Sequence, residues 1–209
     1  MTFISSYCLI RNYQLISNHQ LIFDAKNLLP EQFLEQAYDH LRMDYPKFYK
    51  MDYLSQLGIL ATGILLKERN IATEYGADQV AVILSNQHAS LDTDLRYFKT
   101  TKAIASPALF VYTLPNIVIG EICIKYGIKG EHSFFVFDNF NADFLCSYVD
   151  DLLNRNAAGA CIAGWADVLG KQHDVFLYLV EREKKDHTII HLPEILKKLY
   201  LGDYGTIDG

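Results

Sequence analysis

The sequence predicts a layered α/β fold. Two kinds of segment alternate along it: short apolar runs, and stretches whose apolar residues recur every three or four positions. Runs such as QVAVILS (79–85) suit strands buried on both faces, with helices above and below the sheet. Half of the 209 residues are hydrophobic, enough to fill such a core within one domain.

The elements follow in order. FISSYCLI (3–10) mixes β-branched and aromatic residues and reads as a strand. Pro30 opens LPEQFLEQAYDHLRM, with Phe33, Ala37 and Leu41 at helical spacing. A second helix follows Tyr45-Pro46. There Met51, Leu54, Leu57, Leu60, Ala61, Ile64 and Leu65 form a stripe wide enough to pack on a sheet. After the strand at 79–85, the stretch from Asn86 to Pro107 reads as irregular. Asn116 is placed to cap IVIGEICIKY, and Gly127 to end it. SFFVF (133–137) is the next buried strand, and Phe144, Leu145, Tyr148, Val149, Leu152 and Leu153 return to helical spacing. ACIAGW (160–165) and VFLYLVE (175–181) read as strands, HTIIHL (187–192) as an extended piece, and LPEILKKLYL as a closing amphipathic helix.

Composition removes several functions. A net charge of −6 argues against nucleic-acid binding, which needs concentrated Lys and Arg. No apolar run reaches the roughly 20 residues that span a bilayer. The opening MTFISSYCLIRNYQ lacks the basic and apolar regions of a secretory leader. Cys8, Cys123, Cys146 and Cys161 show no paired spacing, which fits reduced thiols in a cytoplasmic protein. There is no repeat, low-complexity tract or linker.

The most informative stretch is GEHSFFVFDNFNADFL (130–145). An apolar run ends in Asp138-Asn139-Phe140-Asn141 and a helix begins at once, the kind of junction where α/β enzymes mount a nucleophile. Neither asparagine can attack. Cys146 lies one to two turns further on, while Cys123 and Cys161 read as core filling. Asp138 reads as a turn or cap acid, with a base as the alternative, and Glu121 as a solvated helix residue. His88, in SNQHASLDTD, reads as a hydrogen-bonded loop residue, with a binding role as the alternative. His187 and His191 sit four apart in an extended segment, about 13 Å from one another and too far to share a metal. No metal and no cofactor is expected.

A set of motifs adds to this reading. SPALFVYTLPNIVIGEICIKYGIKG (106–130) has a Ser-Pro pair, then Asn116 with Gly120 four residues on, then a Tyr-Gly-x-x-Gly turn at Tyr126, Gly127 and Gly130. ACIAGWAD (160–167) carries Gly164, Ala166 and Asp167, with Trp165 at a position of a Gly-Gly-Ala-Glu type of turn. KMDYLSQLGILATGILL (50–66) and VFLYLVERE (175–183) complete the series. In order and spacing these resemble the β-ketoacyl synthase family of the thiolase fold, over residues 45–183. The resemblance implies a single ketosynthase N-terminal-like domain over 1–209. Its fold would be one α-β-α half: a mixed, mostly parallel sheet of about five strands with helices on both faces.

No gap is needed between Gly130 and Gly164, and that register puts Asn139 where the family has its catalytic Cys. Asn141 and Ala142 fall where a Ser-Gly usually follows. The family's two active-site His residues, on His-Gly-x-Gly-Thr-like and Asn-Phe-Gly-Phe-Gly-Gly-like stretches of its second half, have no counterpart here. The family activity is 3-oxoacyl-[acyl-carrier-protein] synthesis, and an amide in place of the thiolate cannot form the acyl intermediate. Synthases of this family work as dimers. By the resemblance, Phe134, Phe135 and Phe137 form a strand that pairs across the twofold, and Ile104, Ala108, Phe110 and Tyr112 lie near the partner's substrate tunnel. The implied role is a non-catalytic accessory subunit of the chain-length-factor type. It would pair with a full-length ketosynthase, or with itself, in fatty acid, polyketide or aryl-polyene-type biosynthesis, with acyl carrier protein as a further partner. Two alternatives stay open. One is an enzyme of different chemistry using Asp138, His88 or a cysteine. The other is an acyl or carrier-protein binding module, for which a charge of −6 is a poor general match. The helix after Asn139 also needs cover for its apolar face, from a second copy, a partner or the stretch from His187.

Overall fold

The fold grows from a strand whose two faces are both buried. In the computed structural model, which describes residues 1–203 apart from 27, 68 and 186, β1 (Phe3–Arg11) runs antiparallel to β2 (Gln14–Ser17), and β2 to β3 (Gln20–Asp24). Both hairpins turn on residue pairs with positive φ, Asn12-Tyr13 and Asn18-His19, as two-residue turns between twisted strands require. Next come α1 (Pro30–His40), a 3-10 turn (Pro46–Lys50), α2 (Tyr53–Leu66) and a short α3 (Ile71–Tyr75). The remainder is β4 (Val80–Asn86), α4 (Leu91–Thr100), α5 (Pro107–Val111), α6 (Ile117–Tyr126), β5 (His132–Val136) and α7 (Ala142–Asn154), then β6 (Ala160–Leu169), β7 (Gln172–Glu181), β8 (Ile189–Ile190) and α8 (Pro193–Leu201).

All described strands join one sheet in the order β3-β2-β1-β7-β6-β4-β5, with β8 added beside β1. The layered α-β-α architecture is as expected, but the sheet has eight strands rather than five. Its parallel part is confined to β4, β5 and β6; the pairings of β1, β2, β3, β7 and β8 are antiparallel. Period-2 alternation divides the core. Val80, Val82 and Leu84 of β4 meet α1, α2 and α6 on one face, while Ala81 and Ile83 meet α7 and α8 on the other. A register shift between Ile4 and Ser6 explains why Ile4 and Tyr7, three apart, share the α7 face.

Three further expectations are corrected. Asn86 to Pro107 is not irregular: it holds α4, whose sole buried residue is Thr93. SFFVF is not a buried strand: β5 is the edge of the sheet, bonded to β4 alone and partly exposed. Glu121 is not solvated: it is 4% exposed, paired with Lys47 Nζ at 2.7 Å and accepting from the Tyr112 hydroxyl at 3.0 Å.

Helix placement follows local chemistry. Asp52 caps α2, accepting from the Ser55 amide at 3.0 Å and from the Thr93 hydroxyl at 2.8 Å, which ties α4 to α2. Gly164 lies in mid-strand with φ of 147°, and a Cβ there would stand 2.0 Å from Phe176 O, so only glycine lets β6 and β7 approach. Leu196 and Leu199 of α8 are fully buried in the cluster that holds Leu145, Val149 and Leu152 of α7. The C-terminal stretch therefore supplies cover for the helix that follows Asn139.

Candidate functional site at the β5–α7 elbow

The elbow is held by its aromatic residue. Phe140 turns inward, its ring 4.4 Å from that of Tyr200 and 5.5 Å from that of Phe176. Asn141 then caps α7, its side chain accepting from the Phe144 amide at 3.0 Å. Asn139, two residues earlier, is exposed and is not the cap. The strand-to-helix junction is thus where the sequence places it, and the capping role belongs to Asn141.

Beside Asn139 the carboxyl ends of the parallel strands frame a cavity of about 230 Å3, reached by Asp138, Asn139, His88, Asp167 and Trp165. Open α/β sheets bind ligands at such ends. Asn86 closes the β4 loop on itself, with Nδ2 donating to Ala89 O at 2.8 Å and Oδ1 accepting from the Ala89 amide at 2.9 Å. Asp167 at the end of β6 grips the same loop. Its Oδ1 accepts from the Gln87 and His88 amides at 3.0 Å each, and its Oδ2 lies 2.7 Å from His88 Nδ1. His88 is therefore a hydrogen-bonded loop residue, and the carboxylate fixes its ring orientation.

The opposite wall was not legible in the sequence. Asp174 accepts from Arg11 and, at 2.6 Å, from the Tyr200 hydroxyl; the Arg11 guanidinium lies over the Tyr200 ring at 4.2 Å. Those residues come from β1, β7 and α8, far apart in the chain, and no local pattern links them. Trp165 Nε1 and both ring nitrogens of His173 have no hydrogen-bond partner among the described residues, and both side chains line the cavity. Burial pushes the His173 imidazole below its ordinary range, so it is neutral at pH 7.

The thiols lie elsewhere. Cys8 and Cys161 are wholly buried in the sheet, and burial drives both well above the usual thiol range. Burial pushes Cys123 up to about 11, and burial with the neighbouring Asp150 carboxylate pushes Cys146 up to about 12. None is a thiolate at neutral pH, and the thiolate is the reactive form.

The surface candidates divide. Ile104, Ala108 and Phe110 are exposed, Ile104 at 88% and Phe110 at 59%. Tyr112 is not on that surface; its ring is buried and its hydroxyl is committed to Glu121. Phe134 packs partly toward α2 and α6. Phe135 and Phe137 join Phe144 in an aromatic ladder along the sheet edge, with Phe135 to Phe144 at 4.7 Å and Phe137 to Phe144 at 5.0 Å. Of the motif residues, Asn116 precedes α6 without a side-chain cap bond, Gly127 ends it in the left-handed conformation, and Gly120 faces open space. At Gly130 a Cβ would lie 2.3 Å from Val80 O. A separate groove of about 720 Å3 gathers Arg42, Lys67 and Lys125, a local concentration of cations on an acidic chain.

No protein-family model and no curated protein sequence matches the chain. Solved structures do. The chain is similar to the ishigamide ketosynthase/chain length factor, with a TM-score of 0.65 and 16% identity over 89% of this chain and 63% of that one. It is similar to a chain of the ketosynthase ApeO in complex with its chain length factor ApeC from Xenorhabdus doucetiae, with a TM-score of 0.60 and 11% identity over 99% of this chain and 93% of that one. A β-ketoacyl synthase from Burkholderia phymatum gives a TM-score of 0.58 and 10% identity, over 87% of this chain and 59% of that one. The chain thus spans under two thirds of the ishigamide and Burkholderia chains and nearly all of the Xenorhabdus one. At these identities the likeness is one of fold, and the fold is the thiolase-like layered architecture of ketosynthases and their chain length factors.

Proposed function

We propose that this protein is a non-catalytic, chain-length-factor-like subunit that pairs with an active ketosynthase. The observation that carries the reading is the elbow: an exposed amide at Asn139, in a cavity without a thiol, beside an open strand edge. An Asn side chain forms no acyl intermediate. The surface around it supports a partner. Seven of the fifteen large hydrophobic residues exposed among the described residues fall between Leu91 and Leu114. An apolar concentration of this kind suits burial against another chain, and so does the open edge of β5. The fold match to a chain of a ketosynthase–chain length factor complex supports the same reading.

The test is co-expression with a candidate ketosynthase, followed by co-purification and analysis of product length. The reading expects a stable complex, a changed chain length on substituting Phe110, and no condensation by this chain alone. Condensation of a malonyl-carrier with an acyl primer by the isolated chain would sink it.

A second reading rests on the His88–Asp167 pair facing the same cavity as Trp165 and His173, whose ring nitrogens have no hydrogen-bond partner among the described residues. Here the chain performs a different reaction with His88 as the base. Activity of the isolated chain that is lost on His88→Ala would support it. For the carrier-protein module, the groove of Arg42, Lys67 and Lys125 is the local cation cluster that such binding needs. Titration with carrier protein alone, repeated with Lys125→Glu, distinguishes it from the subunit reading.

A further inference from the structure

On the face of the sheet opposite α2 lies a cluster that neither reading uses. Cys146 and Asp150 are four apart on α7 and share one side of it. His191 stands between β8 and α8, and its backbone amide donates to Thr2 O at 3.1 Å, which draws it to the start of β1. Cys146 Sγ is 3.8 Å from His191 Nδ1 and 3.9 Å from Asp150 Oδ2, and His191 Nδ1 is 2.9 Å from Asp150 Oδ1. The Thr2 hydroxyl donates to Asp150 Oδ1 and lies 3.2 Å from His191 Nδ1.

These separations have a specific meaning. A tetrahedral zinc ion, with bonds of about 2.3 Å to sulfur and about 2.0–2.1 Å to nitrogen or oxygen, sets its ligands about 3.6 Å apart for S···N and S···O and about 3.4 Å apart for N···O. The S···N separation lies within about 0.5 Å of its edge, Asp150 Oδ2 stands that close to its edge from sulfur and Oδ1 from nitrogen, and one donor atom from each of the three residues lies within 4.8 Å of the others. His191 is 2% exposed and its Nε2 has no partner among the described residues, so the ring's directional contacts all lie at Nδ1, on the cluster. Asp150 remains about one-third exposed, which gives an ion a route in. The Cys146 thiol also donates to His191 O at 3.6 Å, a weak sulfur hydrogen bond that metal binding gives up along with the proton.

We propose that Cys146, Asp150 and His191 form a binding site for a divalent cation of the zinc class, with Thr2 Oγ1 or a water as fourth ligand. Mixed S, N and O donors favour such an ion over calcium or magnesium. Binding displaces the Cys146 proton to solvent, and the His191 proton moves from Nδ1 to Nε2. Thiolate and carboxylate then balance the two positive charges. The ion joins the start of β1, the middle of α7 and the approach to α8. The sequence gives no hint of this, because His191 lies 45 residues from Cys146 and His187 is the wrong partner for it.

The test is a cobalt(II) titration of the full chain after chelator treatment. The site predicts one equivalent bound, a thiolate-to-cobalt charge-transfer band, displacement by zinc(II), and a raised Tm with either ion. Cys146→Ser removes the band, and Asp150→Asn and His191→Gln each weaken binding at least tenfold. If Cys146→Ser does not fold, the Asp150→Asn variant, at a side chain about one-third exposed, decides by affinity. Absence of the band at saturating cobalt(II), a band that persists in Cys146→Ser, or affinity unchanged in both Asp150→Asn and His191→Gln overturns the proposal.

Discussion

At the elbow, two asparagines two residues apart do different work. Asn141 satisfies a free amide at the start of α7, while Asn139 points to solvent. Removing a helix cap costs about 1 kcal/mol, and a change at an exposed position without such a bond stays within about 0.5 kcal/mol. Asn141→Ala is therefore expected to lower stability in urea unfolding by about 1 kcal/mol, and Asn139→Ala to leave it nearly unchanged. Equal losses would place the cap wrongly. The thiols make a second contrast. With burial raising all four, iodoacetamide at pH 7 is expected to label the native chain slowly, with half-buried Cys123 first and Cys8 and Cys161 only on unfolding. Rapid labelling of one residue, read by peptide mass, would instead identify an activated nucleophile.

Among the elements, β6 carries the tightest constraint. Gly164→Ala would set a methyl group against the Phe176 carbonyl in a conformation that side-chain-bearing residues avoid. The expected loss is at least about 3 kcal/mol, seen as a lower Tm or as insoluble protein. Other elements show what a sequence does and does not reveal. β4, β6 and β7 are buried on both faces, and α2 and α7 bury wide stripes, so their apolar patterns announce them. α4 escapes the same reasoning because its apolar residues Leu91, Leu95 and Phe98 face solvent, leaving no buried stripe. β2 and β3 escape because they are four and five residues long and turn on Asn18-His19 rather than on glycine. The elbow was legible, since an apolar run gives way abruptly to polar residues and then to helical spacing. The rest of the cavity was not: Asp174 and His173 of β7 and Tyr200 of α8 share it with His88 because β6 pairs with both β4 and β7 and α8 folds back over the sheet. Substituting Phe98→Asp on α4 should leave Tm within a few degrees and abolish partner association. An unchanged complex would remove α4 from the interface.

For the whole molecule, acid resistance depends on the end of β7. Glu181 is fully buried, paired with Arg69 Nη2 at 2.9 Å and Lys185 Nζ at 2.7 Å, and accepts from the Tyr75 hydroxyl. Burial alone would raise its carboxyl, but the bonds from Arg69 and Lys185 outweigh that and hold it at about 2, from an ordinary 4.5. A depressed carboxyl contributes stability that is complete above its unfolded value and lost as pH falls through the folded one. Stability is therefore expected to decline between pH 5 and pH 2, by up to about 3 kcal/mol from this group. Glu181→Gln should flatten that part of the profile while lowering stability at pH 7. An unaltered profile would show that another group governs acid unfolding.

The pairing of β1 with β7 also has a consequence for synthesis. Phe3 lies opposite Glu181 and Arg11 opposite Asp174, so β1 leaves the ribosome well before its neighbour β7. At about 5–20 residues per second, that neighbour emerges roughly 10–30 s later. Through this interval Ile4, Tyr7 and Leu9 have only the short hairpins beside them. Closure of the sheet is a late, long-range event, of the kind that makes chains fold slowly. Until β7 arrives, the open edge of β1 depends on shielding of the nascent chain and not on the contacts of the finished sheet.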